Sequence, residues 1–436
     1  MSLRPVISPR ASPALWFAPL VFLLILYAWW SILSGTFPDP YLTAYVAHAD
    51  DGLGYGLPIA AGGAAWAARR ARRSVVGRWA AVIRSPLRIF WAHTWPLFAS
   101  VGLAVLVTVV IEIARLAPGP GVPNLWLLVT YLGMATVAIG GGWLIGLIMP
   151  LPISLPLAIF AAFEWVTYPL LDGATVSWRN IAGYDLFTCC DAVNLQPDPR
   201  ALIAPLIVAL GILGAIWLAA RLTWLLAAAT SVGALGAAVV LSLIVATGTN
   251  AYGGELRPAA ALNCIDSAPT VCLFPEQLDT EDGARIAKTV HTAAAIGITH
   301  GVPLPDEIDA RNANSRSDSA ALPVDLLSGM SSEQVIASLA TSLYESNRCR
   351  SSVEVRSTLG RDVVVPYVLA QELGGSKYGV VPSISFQQGE TPGAAITNLT
   401  PKQIVEKLGV SSAAQRQAIL NQWKQSQANC MKGKRN

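Results

Sequence analysis

The sequence predicts an α-helical membrane protein with about seven transmembrane helices and a mainly helical α+β extracytoplasmic C-terminal domain. Three observations predict it. Only 13% of the 436 residues are charged and 53% are hydrophobic, with a mean hydropathy of +0.49, whereas soluble chains carry about 25% charged residues. The long apolar runs are confined to residues 1–247, and from Gly248 onward the composition is that of an ordinary soluble domain. Seven arginines and no acidic residue lie between Arg69 and Arg88, flanked by apolar runs. Short loops rich in Lys and Arg stay on the cytoplasmic side of a membrane.

A crossing helix needs about 20 apolar residues. The runs predict spans at 14–33, 52–68, 91–114, 124–148, 152–171, 201–220 and 223–247. The first exceeds the roughly 7–15 apolar residues of a cleaved signal, and the next Ala-x-Ala is as far away as Ala47–Ala49, so a retained span is expected. The second is short and rich in Gly and Ala. The long run from Ala201 to Thr247 suits two spans with a tight hairpin at Arg221, its only charge.

Sidedness follows by counting from the arginines. Arg4 and Arg10 place the N-terminus inside. The loop 34–51, with Asp39, Asp50, Asp51 and no Lys or Arg, falls outside, as does the loop 172–200. Met149, Pro150 and Arg221 fall inside, and seven crossings leave 248–436 outside, at a plasma or inner membrane. Every cysteine then lies outside: Cys189 and Cys190 in a loop, and Cys264, Cys272, Cys349 and Cys430 in the C-terminal domain. That suits disulfides, which persist in oxidising compartments. Cys264–Cys272 would close a short loop and Cys349–Cys430 would tie back the last helix, although four cysteines allow three pairings. Adjacent cysteines rarely bond to each other, so Cys189 and Cys190 are expected to find other partners or stay free.

In the C-terminal domain, Val271–Phe274 reads as a strand. Thr280 before Glu281 and Asp282 opens a helix to about Ile296, because acids favour the positive end of the helix dipole. Ser331 with Gln334 forms a capping-box pattern for a helix to about Glu345. Val363–Leu373, ending at Gly374 and Gly375, is a third helix. Thr400, Pro401 and Gln403 start one that stops at Gly409, and a last helix runs from near Ser412 to Ala428.

The chain has no Gly-x-x-x-x-Gly-Lys-Ser/Thr loop, no His-Glu-x-x-His, no zinc-type cysteine array and no Gly-x-Ser-x-Gly elbow. No catalytic set and no metal site are expected. The histidines His48, His93, His291 and His300 are scattered; His291 and His300 could meet in space, but ordinary surface or core roles are commoner. Acids inside spans are costly and mark candidate functional sites. Glu112 has Arg115 three residues on and reads either as the end of the third span or as such a site. Glu164 lacks a partner in its own helix and reads as a packing polar group or as a substrate-path or gating residue. The segment 69–90 interleaves its arginines with Val75, Val76, Trp79, Val82 and Ile83, an amphipathic pattern suited to the inner membrane surface. It is a membrane anchor in lipid headgroups or a docking surface for a cytoplasmic partner: Arg69, Arg70, Arg72, Arg73, Arg78, Trp79, Arg84 and Arg88. A nucleic-acid patch would sit on a soluble domain instead.

The order of spans, basic segment and long outside loop resembles the permease subunits of ABC-2-type transporters over about the first 220 residues. Val271-Cys272-Leu273-Phe274-Pro275-Glu276 is similar to a segment in the outside domains of actinobacterial ABC-associated permease-like proteins. The resemblance implies a homodimer or a heterodimer with a related permease, and a separate ATPase docked on the arginine segment. ATP and Mg would be held by that ATPase and no cofactor by this chain, and the exported substrate would be amphipathic: a peptide, lipid or antibiotic. A seventh span and a large outside domain depart from the family pattern. The alternative is a non-transporting sensor or immunity protein whose outside domain binds a ligand or partner.

Overall fold

The computed structural model describes residues 12–33, 42–73, 85–116, 123–167, 176–183, 189–190, 193–219, 224–249, 253–265, 268–278, 280–302, 304–310, 321–324, 326, 330–346, 361–377, 379–380, 402–403, 406, 410 and 412–433. The chain divides into two compact units, Met1–Glu255 and Leu256–Asn436.

The first unit is helical: α1 (Ala14–Leu33), α2 (Leu42–His48), α3 (Leu53–Arg73), α4 (Pro86–Leu116), α5 (Leu125–Ile148), α6 (Leu151–Thr167), α7 (Val176–Ala182), α8 (Pro199–Ala219) and α9 (Trp224–Val245), with a short strand β1 (Leu195–Pro197) before α8. Among the described residues, four helices, α1, α4, α5 and α8, are long and apolar enough to cross a membrane, and α6 and α9 carry shorter apolar stretches. Their outward faces bear large apolar side chains such as Leu103, Leu132, Phe160 and Leu210, a surface that water would not tolerate over such an area.

Contacts between helices give their directions. Phe17 of α1 meets Trp66 of α3 at 5.8 Å between rings, whereas Ile25 lies against Gly52 and Gly56, so α1 and α3 are antiparallel. Ala61 and Ala65 of α3 face Gly142 and Gly146 of α5, which makes those two parallel. Phe90, at the start of α4, packs on Trp143, near the end of α5, at 5.6 Å. The Ser242 and Ser231 hydroxyls on α9 donate to the carbonyls of Ala204 and Ala215 on α8. The long helices therefore alternate in direction along the chain.

α3 is the centre of this bundle and packs on α1, α4, α5 and α6. This explains its poverty in large apolar residues: a helix surrounded by helices needs close approach rather than a lipid-facing surface. A Cβ on Gly142 would lie 2.1 Å from the Ala61 carbonyl oxygen, and one on Gly146 would lie 2.2 Å from that of Ala65. α3 continues through Arg73 instead of stopping at Ala68, and α4 begins at Pro86 instead of Trp91. Arg69, Arg70, Arg72 and Arg73 thus extend α3, and Arg88 opens α4. Residues 74–84, with Arg78, Trp79 and Arg84, lie outside the described residues, as does Arg221.

The second unit holds a four-stranded sheet in the order β3 (Asn263–Ile265), β4 (Thr270–Leu273), β5 (Glu307–Asp309), β6 (Leu322–Pro323), after a short β2 (Gly254–Leu256) at the boundary. β3 and β4 are antiparallel, with Cys264 opposite Cys272; β4–β5 and β5–β6 are parallel. Its helices are α10 (Pro275–Leu278), α11 (Glu281–Thr299), α12 (Ser332–Ser346), α13 (Arg361–Glu372) and α14 (Ala413–Gly433). α10 and α11 form the crossover that a parallel β4–β5 pair requires. α11 buries Ile286, Ala287, Val290, Ala293, Ala294 and Gly297, one face at helical spacing.

The expected caps are present. Thr280 accepts from the Gly283 N–H, and Ser331 and Gln334 exchange two hydrogen bonds at 2.7 and 3.3 Å. α13 ends at Gly374, whose φ of +91° lies in the left-handed region that favours glycine. Three short strands, β3, β5 and β6, were not foreseen; with two or three residues each they are too short to show an alternating pattern. The helix expected at 400–409 lies largely outside the described residues.

Candidate functional site

The first unit concentrates buried polar chemistry at one end. α2 and the turn after it contribute Tyr45, His48, Asp50 and Asp51, all between 0 and 6% exposed; α4 contributes Glu112 at 2%, and α5 contributes Tyr131 at 2%. Tyr45, His48, Asp50 and Asp51 belong to the stretch 34–51, whose described part, 42–51, is packed among the helices. Small residues fold it inward: Ala44, Ala47 and Ala49 are fully buried, and a Cβ on Gly52 would stand 2.3 Å from the Ile25 carbonyl oxygen. The backbone turns through hydrogen bonds from the Asp50, Asp51 and Leu53 N–H groups to the carbonyls of Ala47, His48 and Asp50. Asp39 lies outside the described residues.

Tyr131 anchors the turn. Its hydroxyl lies 3.0 Å from the carbonyl oxygens of both Val46 and Ala47, at the end of α2, and donates to the pair. Asp50 and Asp51 act electrostatically on this phenol. Tyr45, on α2, has its phenol pushed up to about 12, first by burial and then by the nearby Glu112 carboxylate. The site is therefore a set of carboxylates and phenols with one imidazole, withdrawn from water within an apolar bundle. Tyr131→Phe removes the donor for two α2 carbonyls and should cost about 1–2 kcal/mol. Thermal unfolding of the detergent-solubilised chain is the check, with an expected drop of about 2–4 °C per kcal/mol.

The unit holds two apolar cavities. One of about 410 Å³ lies between α2, α4 and α5, with Val46, Gly102, Ile113 and Tyr131 in its wall. The other, of about 230 Å³, is lined by Leu57, Met134, Trp165 and Ile212 among others.

Glu112 and Glu164 differ in burial. Glu112 is buried, and Glu164, near the end of α6, is only half-buried beside Trp165. The side chain of Arg115, the expected partner of Glu112, lies outside the described residues. At the opposite end of the bundle, Arg70 and Arg88 are exposed and Arg69 is half-buried. Arg72 donates to the carbonyl of Leu147 in the last turn of α5, where a cation also complements the negative end of the helix dipole.

Cys189 and Cys190 are bonded to each other, and both are fully buried. This overturns the expectation of other partners: the geometry is reached at the 3.8 Å Cα separation of neighbouring residues, below the usual disulfide range. Of the three pairings left open by the sequence, the structure has Cys264–Cys272, across directly opposed positions of β3 and β4. Both sulfurs being consumed in that bond, their proximity to Glu307 offers no thiolates for a metal. Cys349 and the Cys430 side chain lie outside the described residues.

The Val271–Glu276 segment is structural here. Val271, Cys272 and Leu273 belong to β4, Pro275 opens α10, and Glu276 pairs with Arg257 through two 3.1 Å hydrogen bonds. His291 and His300 do not meet: nine residues along α11 and its cap separate them by about 13 Å at 1.5 Å per residue. His300 faces Glu372 instead, at 2.5 Å, and His93 stacks on Trp143.

No buried polar constellation of this kind is deducible from residue spacing, because α2, α4 and α5 supply it from positions up to 86 residues apart. The available signal was Asp50-Asp51-Gly52 set among small residues. No protein-family model, curated protein or solved structure matches the chain.

Proposed function

We propose that this chain is the membrane (permease) subunit of an ABC-type exporter, moving an amphipathic substrate and powered by a separate ATPase. The observation that carries the reading is the electrical polarity of the helical unit: exposed arginines at one end and withdrawn carboxylates at the other. The arginine end is the cytoplasmic face by the positive-inside rule. All seven long helices, α1, α3–α6, α8 and α9, cross the membrane in this reading. Exposed aromatic residues support it, with Trp16, Trp66, Trp91, Trp95 and Trp217 near the arginine end and Tyr27, Trp30, Tyr55 and Trp126 near the other. Such residues favour the two interfaces of a bilayer.

α9 then delivers the chain to the outer side, so the second unit is extracytoplasmic, in keeping with its disulfide. The ATPase docks at the ends of α3 and α4 and holds ATP and Mg. Two copies, or this chain with a related permease, form the pathway. The second reading, a sensor or immunity protein with no transport role, draws support from the separate sheet-bearing C-terminal unit, which would bind the ligand or protein partner.

Purification of the intact chain in gentle detergent separates the two. The exporter reading expects a nucleotide-binding subunit to co-purify. Arg70→Glu with Arg88→Glu should release it while the permease remains monodisperse, because both side chains are exposed. Arg72→Glu is a poorer probe, since it also breaks the contact with Leu147. If the wild-type chain carries no such partner, the exporter reading falls.

A further inference from the structure

We infer that the cavity between α2, α4 and α5 binds a lipid acyl chain, its terminal methyl at Gly102 and its polar end at the mouth formed by Leu42, Ile113 and Pro123. Such a site goes beyond the exporter reading and exists whether or not the chain exports anything. α4 and α5 touch at the Phe90 and Trp143 rings, 5.6 Å apart, at the arginine end of the bundle. Further along they leave a gap that Leu42 and Val46 of α2 fill only in part. Gly102 widens it: it carries no side chain, and a Cβ there would meet no atom within 4 Å. The volume left is about 410 Å³, within the roughly 300–1,000 Å³ of small-molecule sites.

Shape and polarity select the ligand. On α4 the lining residues include Phe98, Gly102, Val105, Val109 and Ile113, one face at helical spacing. From Phe98 to Ile113 that face runs about 22 Å at 1.5 Å per residue, enough for the depth of one leaflet, roughly 15 Å as half of the hydrocarbon core. The cavity is therefore a slot along the helix axis. Among the described residues its wall holds no charge. Its one hydroxyl, on Tyr131, already donates to the Val46 and Ala47 carbonyls, so no donor is left to hold a polar ligand. Water finds too few partners in such a wall, and an empty slot would deprive its lining of dispersion contacts. Leu106 and Leu132 line the slot and are also more than half exposed, whereas Val101, Val105 and Tyr131 are buried. The slot thus opens sideways, where the bilayer would lie, and a chain can enter without crossing water. Orientation follows from the two ends. Phe98 and Gly102 lie well inside α4, whereas Ile113, Pro123 and Leu42 lie at or beside helix ends. A polar head group buried without partners is costly, so it stays at the helix ends and the methyl end reaches Gly102.

The test reconstitutes the purified full-length chain, without any ATPase, in phosphatidylcholine nanodiscs. These include a phosphatidylcholine with a photoreactive diazirine at the methyl end of one chain, and labelled residues are mapped by mass spectrometry. Label on Val101 and Val105 is expected, because these buried side chains are reached only from inside the slot. A second probe, with the diazirine beside the ester, should label Leu42 or Pro123 instead. Gly102→Leu fills the slot from a position with free space around its Cβ and should abolish the label on Val105. Gly236→Leu, on the exposed face of α9 and equally free of neighbours, should keep the wild-type pattern. Label confined to exposed side chains such as Leu103 and Leu210, which is ordinary contact with bulk lipid, overturns the inference. So does an exchanged pattern between the two probes, or unchanged label on Val105 in Gly102→Leu. Because no ATPase takes part, failure here is separate from failure of the exporter reading, which rests on co-purification.

Discussion

Gly142→Leu and Gly146→Leu are expected to abolish recovery of a monodisperse, folded chain from detergent. The Cβ of either residue would collide with backbone, at 2.1 Å from the Ala61 carbonyl oxygen or 2.2 Å from that of Ala65. Backbone cannot swing aside as the tip of a side chain can. α3 and α5 would have to separate, and α3 also packs on α1, α4 and α6, so the disturbance reaches the whole centre of the bundle. Overpacking of a core typically costs about 1–3 kcal/mol and sometimes more; with a leucine against backbone on the central helix, the upper end of that range is expected. Alanine at the same positions should already lower the unfolding temperature. Gly141→Ala is the matched control: it sits in the same glycine run, but a Cβ there meets nothing within 4 Å, and its effect should stay within about 0.5 kcal/mol. Thermal unfolding followed by size-exclusion chromatography distinguishes these outcomes. If Gly142→Leu unfolds at the same temperature as Gly141→Ala, the close α3–α5 contact is wrong.

The second large effect is expected in the C-terminal unit. α14 is a polar helix whose described inward residues are few: Leu420 is 1% exposed and Trp423 is fully buried. Among the described residues, the Lys424 ammonium also ties it to the rest of the unit by donating to the His300 carbonyl at 3.1 Å. Trp423 is the largest of the buried side chains described on this helix. Trp423→Ala should destabilise the docking of α14 by about 3–5 kcal/mol, the usual cost of emptying a buried indole site. Limited proteolysis of the full chain should then release the C-terminal segment early, while the first unit keeps its unfolding temperature. Lys424→Ala, which loses one partly exposed hydrogen bond, should have a much smaller effect. Wild-type protease resistance in Trp423→Ala would show that α14 is held by other means.

The long helices of the first unit were legible because twenty-residue apolar runs have few alternative fates. The predicted 14–33, 124–148 and 201–220 lie within two residues of α1, α5 and α8 at each end. Polar side chains that close hydrogen bonds within three residues were legible for the same local reason, as at Thr280 and Ser331. The basic segment was read partly in error: Arg69 to Arg73 prolong α3, since an alanine- and arginine-rich sequence continues a helix at little cost. Of the short strands of the C-terminal unit, β4 was legible as the apolar run Val271–Phe274, whereas β5 and β6 exist by pairing alongside it and carry no signal of their own.

What the sequence by itself determined is the inventory and the direction of travel: which segments are helical and apolar, and where the arginines gather. Those properties reside in residues close together along the chain. The tertiary structure alone decided that Asp50 and Asp51 are buried at the same end of the bundle as Glu112, Tyr45 and Tyr131, that α3 becomes the central helix, and that Cys189 bonds to its own neighbour. Each of these depends on which backbones can approach one another. The small residues of α2 and α3 permit that approach, and only the packed helices around them determine where it happens.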